Sequence, residues 1–306
     1  MMLIPRPLVR NALFLMVCIL LVFCIKDRLF NLLDVVSESH KGGLSSGLSW
    51  FGPIFGNRDE SKRELVLLQM LFRHGHRAPF MLYPTDPNNE SFWKEGLGML
   101  TRLGRLQHYR LGIHLQQRYD DFITTNPKEV EMISAESART QHGAYSFLAG
   151  LYSPKDEYRF TDQLRWQPIV SKNSNRYKNI LTRKYCRRSE KQYKALRYSQ
   201  LANETKDRFE DLYRFWSIKS GRIIDDWHLA NDLGKTFNCE QKYNLTIPDW
   251  AFEYWEELKV QTALNYYFHY GTKELLKYRI GPLMGFMIEK MKERIQNVEQ
   301  EKRVFI

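Results

Sequence analysis

From Glu64 to Phe72 the chain reads ELVLLQMLF, a short and almost unbroken apolar run. Such a run predicts a strand buried on both faces of an α/β sheet. The turn-rich stretch YPTDPNNES follows it. Between residues 97 and 123, Leu103, Leu106, Tyr109 and Ile113 recur at steps of three and four, with Leu115, Tyr119 and Phe122 beyond, which predicts one long amphipathic helix. Val130 to Ala135, after Pro127, reads as a second strand, and Arg139 to Tyr152 as a helix stopped by Pro154. Strand, helix, strand, helix in this order predicts a mainly parallel sheet flanked by helices. From Ser189 to about Lys277 the pattern turns helical, charged and aromatic, with few β-branched runs, the composition of a mostly helical cap or insertion. Gly281-Pro282 opens a last helix to about Gln300, and KRVFI at the end looks like the beginning of a further strand. The expected organisation is an α/β core over residues 64–185, a helical cap over 186–280 and a return to the core, incomplete, over 281–306.

Residues 1–63 have a different character. Arg6 and Arg10 precede Asn11 to Ile25, fifteen residues without a charge, which Lys26, Asp27 and Arg28 close. At about 1.5 Å per residue this falls short of a hydrocarbon core about 30 Å thick. It therefore reads as the hydrophobic region of a signal peptide, or as a signal anchor that borrows Leu29, Phe30, Leu32 and Leu33. Both place the body on the far side of a membrane, in the secretory pathway: extracellular, lysosomal, or anchored with a luminal body. A Gly/Ser-rich spacer follows, up to residue 63. The sequons at Asn89, Asn203 and Asn244 agree with a glycoprotein.

Lysine and arginine exceed aspartate and glutamate by 46 − 35 = 11, so anionic surfaces and phosphorylated molecules are attracted at long range. Nucleic acid is not the expected partner, because the basic residues are scattered and no zinc-finger, RNA-binding or basic-zipper pattern occurs. Four cysteines with no CxxC make a structural zinc site unexpected.

The sharpest chemistry lies in Arg73-His74-Gly75-His76-Arg77-Ala78-Pro79, directly after the first apolar run. Ligands of open α/β sheets bind at the carboxyl ends of strands. Guanidinium groups fork onto phosphate oxygens and neutralise charge during transfer, while an imidazole nitrogen can accept a phosphoryl group covalently.

With this motif on an apolar strand, and with YPTDP, LTRLGRLQHYRLGIHLQQRY, FLAGLYSP, LTIPDW and Gly281-Pro282 in order, the body from Glu64 to Ile306 resembles the histidine acid phosphatases of the prostatic and lysosomal type. The resemblance implies the phosphoglycerate-mutase-like architecture of histidine phosphatases and hydrolysis of phosphate monoesters, small or on proteins, through a phosphohistidine on His74. Arg73 and Arg77 would hold the phosphate. A family segment usually like RSTDxDRT corresponds to Ile133–Thr140, ISAESART, which keeps Arg139 as a further phosphate ligand but departs from the pattern at Ile133, Glu136 and Ala138. No cofactor or metal is implied, since arginines carry the charge. His76 is expected to line the first turn without a catalytic role, and His108, His114 and His142 to be surface or packing residues. A homodimer is a further implication. The family also has a C-terminal His-Asp pair whose acid protonates the leaving alcohol, and no His-Asp dipeptide occurs in this sequence, which reads as truncated relative to the family. The alternative expectation is thus a weak or inactive relative that binds phosphorylated or anionic ligands. Cys186 and Cys239, whose family counterparts pair downstream, are expected to be either unpaired or paired with each other.

Overall fold

A computed structural model describes residues 65–172, 180–181, 186–297 and 300–306. The leader and spacer expected over residues 1–63 lie outside these. Four short strands, β1 (Leu68–Gln69), β2 (Val130–Ile133), β3 (Ser171–Lys172) and β4 (Val304–Phe305), form a sheet in the order β1-β4-β2-β3. Every pairing is parallel, with Leu68 opposite Val304, Val130 opposite Val304 and Met132 opposite Ser171.

The last strand is therefore an inner one. β4 is held on one side by Leu68 N–H to Arg303 O (3.0 Å) and Met70 N–H to Phe305 O (2.8 Å). On the other side Arg303 N–H donates to Glu129 O (3.0 Å) and Ile306 N–H to Glu131 O (2.9 Å). The first apolar run departs from its expectation. Among the described residues it pairs only through β1, at the sheet's edge, and Leu71 is 65% exposed rather than buried. A strand with a neighbour on one side leaves its flanks to solvent, so the unbroken apolar pattern overstates both its length and its burial.

Two helices, α1 (Arg102–Arg118) and α2 (Ala138–Leu151), cover one face. α1 is shorter than the periodicity over 97–123 suggests, whereas α2 lies within one residue of its expected bounds. α1 begins only at Arg102 because Thr101, in extended backbone, caps it by accepting from Gly104 N–H. The two helices touch backbone to backbone: a Cβ at Gly112 would stand 2.3 Å from Phe147 O, and one at Gly150 would stand 2.1 Å from Tyr109 O. Beneath them lies an apolar centre of Leu68, Ile123, Val130, Met132, Phe147, Leu151, Tyr152 and Val304. Side chains alternate along a strand, so Phe305 faces the other way from Val304. There it meets α10 (Gly281–Gln296), whose Lys290 ammonium is 5.4 Å from the Phe305 ring and whose Met287 carbonyl accepts from Gln69 Nε2 (3.0 Å).

Between the core segments come α3 (Arg187–Arg197), α4 (Gln200–Arg208), α5 (Glu210–Ser220), α6 (Trp227–Lys242), α7 (Asp249–Glu253), α8 (Trp255–Tyr270) and α9 (Lys273–Arg279). They enclose a second apolar centre with Tyr213, Trp216, Leu233, Phe237 and Leu258, into which Tyr83 inserts from the YPTDP loop. Leu65–Ile306 is nonetheless one compact unit. Cys186 and Cys239 form no disulfide. Among the described residues no helix is long and apolar enough to cross a membrane.

The inner strand is pinned by charge as well. Arg303 Nη2 and Nε lie 3.0 and 3.2 Å from Glu129 Oε2, and the buried Glu129 also accepts from Thr124 N–H and Oγ1. Removing one partner of such a pair strands the other charge. Arg303→Met is expected to lower unfolding free energy by about 2 kcal/mol, the low side for a buried pair because Arg303 is partly exposed. Adding Glu129→Gln should recover part of the loss. Denaturant titration of the three proteins checks this, and an unchanged midpoint for Arg303→Met would refute it.

Candidate active site

The RHGHRAP segment leaves β1 and turns over the start of α1. Its path is fixed by a close approach of two glycines. A Cβ on Gly75 would come within 2.6 Å of Gly104 O, and one on Gly104 within 2.0 Å of His76 O. Hydrogen bonds fasten the turn: Gly75 N–H donates to His108 Nε2 (2.6 Å), His76 N–H to Gln107 Oε1 (2.8 Å), Thr101 N–H to His76 O (3.1 Å) and Ala78 N–H to Met99 O (2.9 Å). His108 is thus a buried support of the loop, kept neutral because burial lowers its pKa to about 4. Its place in α1 suggested only a surface or packing residue.

His74 points its Nδ1 at the Gly75 carbonyl, 2.9 Å away. A carbonyl only accepts, so Nδ1 carries the proton and the Nε2 lone pair stays available. Burial holds the imidazole pKa down at about 3, the hydrogen bond to the Gly75 carbonyl opposes it, and the charges of Arg73, Arg77 and Arg139 each lower it further.

Those arginines come from separate places. Arg73 is exposed beside His74. Arg77 is 5% exposed, donates from Nη1 to Ala78 O (2.7 Å), and lies over the Phe80 ring at 4.0 Å. Arg139 sits in the first turn of α2, where unpaired backbone N–H groups favour anions, and its guanidinium is 5.0 Å from the centroid of the same Phe80 ring. Burial depresses the proton affinity of Arg77 and Arg139, and the neighbouring guanidiniums depress it further. Buried Nε atoms of both find no acceptor. No carboxylate lies within 4 Å of any of the three among the described residues.

The structure adds residues that the sequence did not single out. α6 crosses the loop, with Thr236 Oγ1 donating to Met81 O (3.2 Å), and a cleft beside Arg77 is lined by Phe80, Met81, Asp232, Lys235 and Thr236. Only the fold brings α6 here, so spacing along the chain carried no signal. His76 lines the turn as expected, and its ring also ties the turn to α6. Nδ1 contacts Thr101 Oγ1 (2.7 Å), Nε2 contacts Cys239 O (2.9 Å), and the ring stacks on Tyr243. No group of three or more metal-type side chains occurs among the described residues.

Comparison with known proteins places this arrangement. Residues 80–305 match the model of the histidine phosphatase superfamily, branch 2. The chain belongs to that superfamily. It is 30% identical to prostatic acid phosphatase of Mus musculus over 262 residues, 79% of this chain and 66% of that one. It is 34% identical to lysosomal acid phosphatase of Homo sapiens over 204 residues, 62% of this chain and 46% of that one. The chain thus spans less than two thirds of these relatives' length. In fold it is similar to the phytase of Hafnia alvei in complex with myo-inositol hexakis sulphate, with a TM-score of 0.54 at 14% identity, covering 76% of this chain and 68% of that one. The phytase of Citrobacter braakii gives 0.50 at 17% identity, covering 76% and 69%. The superfamily match begins at Phe80, one residue past the RHGHRAP turn.

At the YPTDP loop lies an acid pair, Glu240 buried and Asp86 half-buried. Glu240 of α6 faces Asp86, whose Oδ1 accepts from Asn88 N–H (2.8 Å), and the Asn88 amide donates to Glu240 Oε1 (3.2 Å) and Thr246 O (2.8 Å). Burial, the Asp86 charge and a shared hydrogen bond with Asp86 push Glu240 up to about 8, with the Asn88 amide opposing. The three sequon asparagines, Asn89, Asn203 and Asn244, are all exposed.

A raised carboxyl pKa means that the folded chain keeps a proton that the unfolded chain releases. Stability from this pair is full below about pH 4.5 and falls as pH rises towards 8. Glu240→Gln, which carries its own N–H donor, should flatten the dependence in that window. Melting temperatures of both proteins from pH 4.5 to 8 decide it, and parallel curves would refute the assignment.

Proposed function

We propose that the chain is a phosphomonoesterase with His74 as nucleophile and Arg73, Arg77 and Arg139 as the phosphate clamp. One observation carries the reading: three guanidiniums, none within 4 Å of a carboxylate among the described residues, act on a neutral imidazole whose Nδ1 is already engaged. Like charges this close repel, and a dianion among them turns the repulsion into binding. His74 Nε2 attacks phosphorus, the bond from phosphorus to the ester oxygen breaks, and the leaving oxygen takes a proton from solvent water to depart as the alcohol. The phosphoimidazolium keeps its Nδ1 proton on the Gly75 carbonyl. Water then attacks phosphorus, releasing inorganic phosphate and returning Nε2. Charge spreading over the phosphoryl oxygens in both steps meets the guanidiniums. The relatives' names, the leader over residues 11–25 and the exposed sequons support a glycosylated body in the secretory pathway, by cleavage of the leader or through its retention as an anchor.

Hydrolysis of an aryl phosphate by the purified protein tests the reading. His74→Ala should lose at least about a thousandfold in rate, and Arg139→Met about a hundredfold or more. Because His74 stays neutral down to about pH 3, kcat/KM should not fall through its protonation between pH 4 and 6. Equal rates for His74→Ala and the parent would refute the nucleophile. Retained phosphate binding without turnover in the parent would leave only an anion-binding protein.

A further inference from the structure

The cleft beside Arg77 has chemistry that the phosphate clamp does not use. Lys235 reaches into it from α6, with its side chain only 32% exposed. Thr236, the next residue, is bonded across to the Met81 carbonyl, so the helix is held at a fixed distance from the loop. Leu233 and Phe237 on either side are buried in the apolar centre of the helical layers, which sets the direction of Lys235. A surface lysine would be satisfied by its ion pair one turn away, and Asp232 does lie 3.6 Å from Nζ. That carboxylate is shared: it also faces His228 Nε2 at 3.8 Å and acts on the Arg77 guanidinium. Burial lowers the proton affinity of Lys235, Asp232 opposes this, and Arg73 and then Arg77 lower it further. Its ammonium therefore lies within the electrostatic field of the clamp.

The charges can be counted. Arg73, Arg77, Arg139 and Lys235 give four positive charges, Asp232 gives one negative, and the sum is +3. A phosphate monoester dianion leaves +1, and the Lys235 ammonium is the cation of this set that lines the cleft beside Phe80 without belonging to the arginine clamp. Phe80, 53% exposed and with Arg77 and Arg139 on its ring, forms the apolar wall between the two charged places.

We propose that Lys235 forms a second anion-binding subsite, which selects phosphate monoesters whose leaving group carries a further negative charge such as a carboxylate. The proposal rests on the phosphate clamp assigned above. The ammonium meets the second anion while the arginines hold the phosphoryl group, so the gain appears only for substrates that carry both.

Binding of non-hydrolysable phosphonates to the full chain tests this without needing turnover. Calorimetry would compare methylphosphonate with 3-phosphonopropionate for the parent, Lys235→Met and Lys235→Arg. The parent is expected to prefer the carboxylate-bearing ligand by about tenfold or more. Lys235→Met should lose that preference while binding methylphosphonate within about twofold of the parent, and Lys235→Arg should keep it. An unchanged preference in Lys235→Met, or none in the parent, would overturn the subsite and leave the clamp standing. Failure of the parent to bind methylphosphonate would overturn the clamp and the subsite together.

Discussion

Mutual repulsion among Arg73, Arg77 and Arg139 is the constraint around which this molecule is arranged. Three fixed cations beside a neutral imidazole would separate if their backbones were free to move. The surrounding structure prevents it. Gly75 and Gly104 let the loop settle on the start of α1, His108 and Gln107 take its N–H groups, and the Phe80 ring is held against two guanidiniums at once. Arg139 comes from another chain segment and is aimed by the first turn of α2, which the Gly112–Gly150 contact locks against α1. The buried Nε atoms of Arg77 and Arg139 without acceptors express the same tension. Such groups are tolerated where they serve binding.

How much of this was legible in the sequence depended on whether the determinant was local. α1, α2 and β2 appeared close to where their apolar spacing placed them, because amphipathic periodicity reports a neighbouring core directly. The cluster of His74, Arg73 and Arg77 was legible for a related reason, since the residues are contiguous. Arg139 needed the resemblance to a family segment, and the structure brings it to the same Phe80 ring as Arg77. β4 was visible only as an apolar pair at the end of the chain. Its inner position depends on partners more than 170 residues away, which no local pattern encodes. The first apolar run misled in the opposite direction: ELVLLQMLF has the composition of a central strand, yet the sheet order gives it a single neighbour.

α6 shows most clearly what the sequence could not convey. Along the chain, Asp232, Lys235, Thr236, Cys239 and Glu240 are ordinary members of an amphipathic helix. In the fold each meets the loop region: Thr236 and the Cys239 carbonyl bond to it, Glu240 shares a hydrogen bond with Asp86, and Lys235 with Asp232 lines the cleft. One face of one helix thereby serves as a clasp and as a wall of the site.

That arrangement couples acidity to geometry. The clasp includes a carboxyl group that remains protonated in the fold well above the ordinary carboxylate range. At mildly acidic pH Glu240 keeps its proton where α6 meets the YPTDP loop, and the Asn88 amide joins the two. As pH rises, two negative charges must share a buried space with one amide donor. The imidazole at the clamp has the opposite requirement, because it has to remain neutral where a free histidine would be protonated, and burial with three guanidiniums achieves that. Both shifts arise chiefly from burial, and both favour the same side of neutrality. A loop held closed by a protonated acid, beside an imidazole kept unprotonated chiefly by burial, gives the proposed phosphatase reaction a structural bias towards acidic pH that precedes any bound substrate.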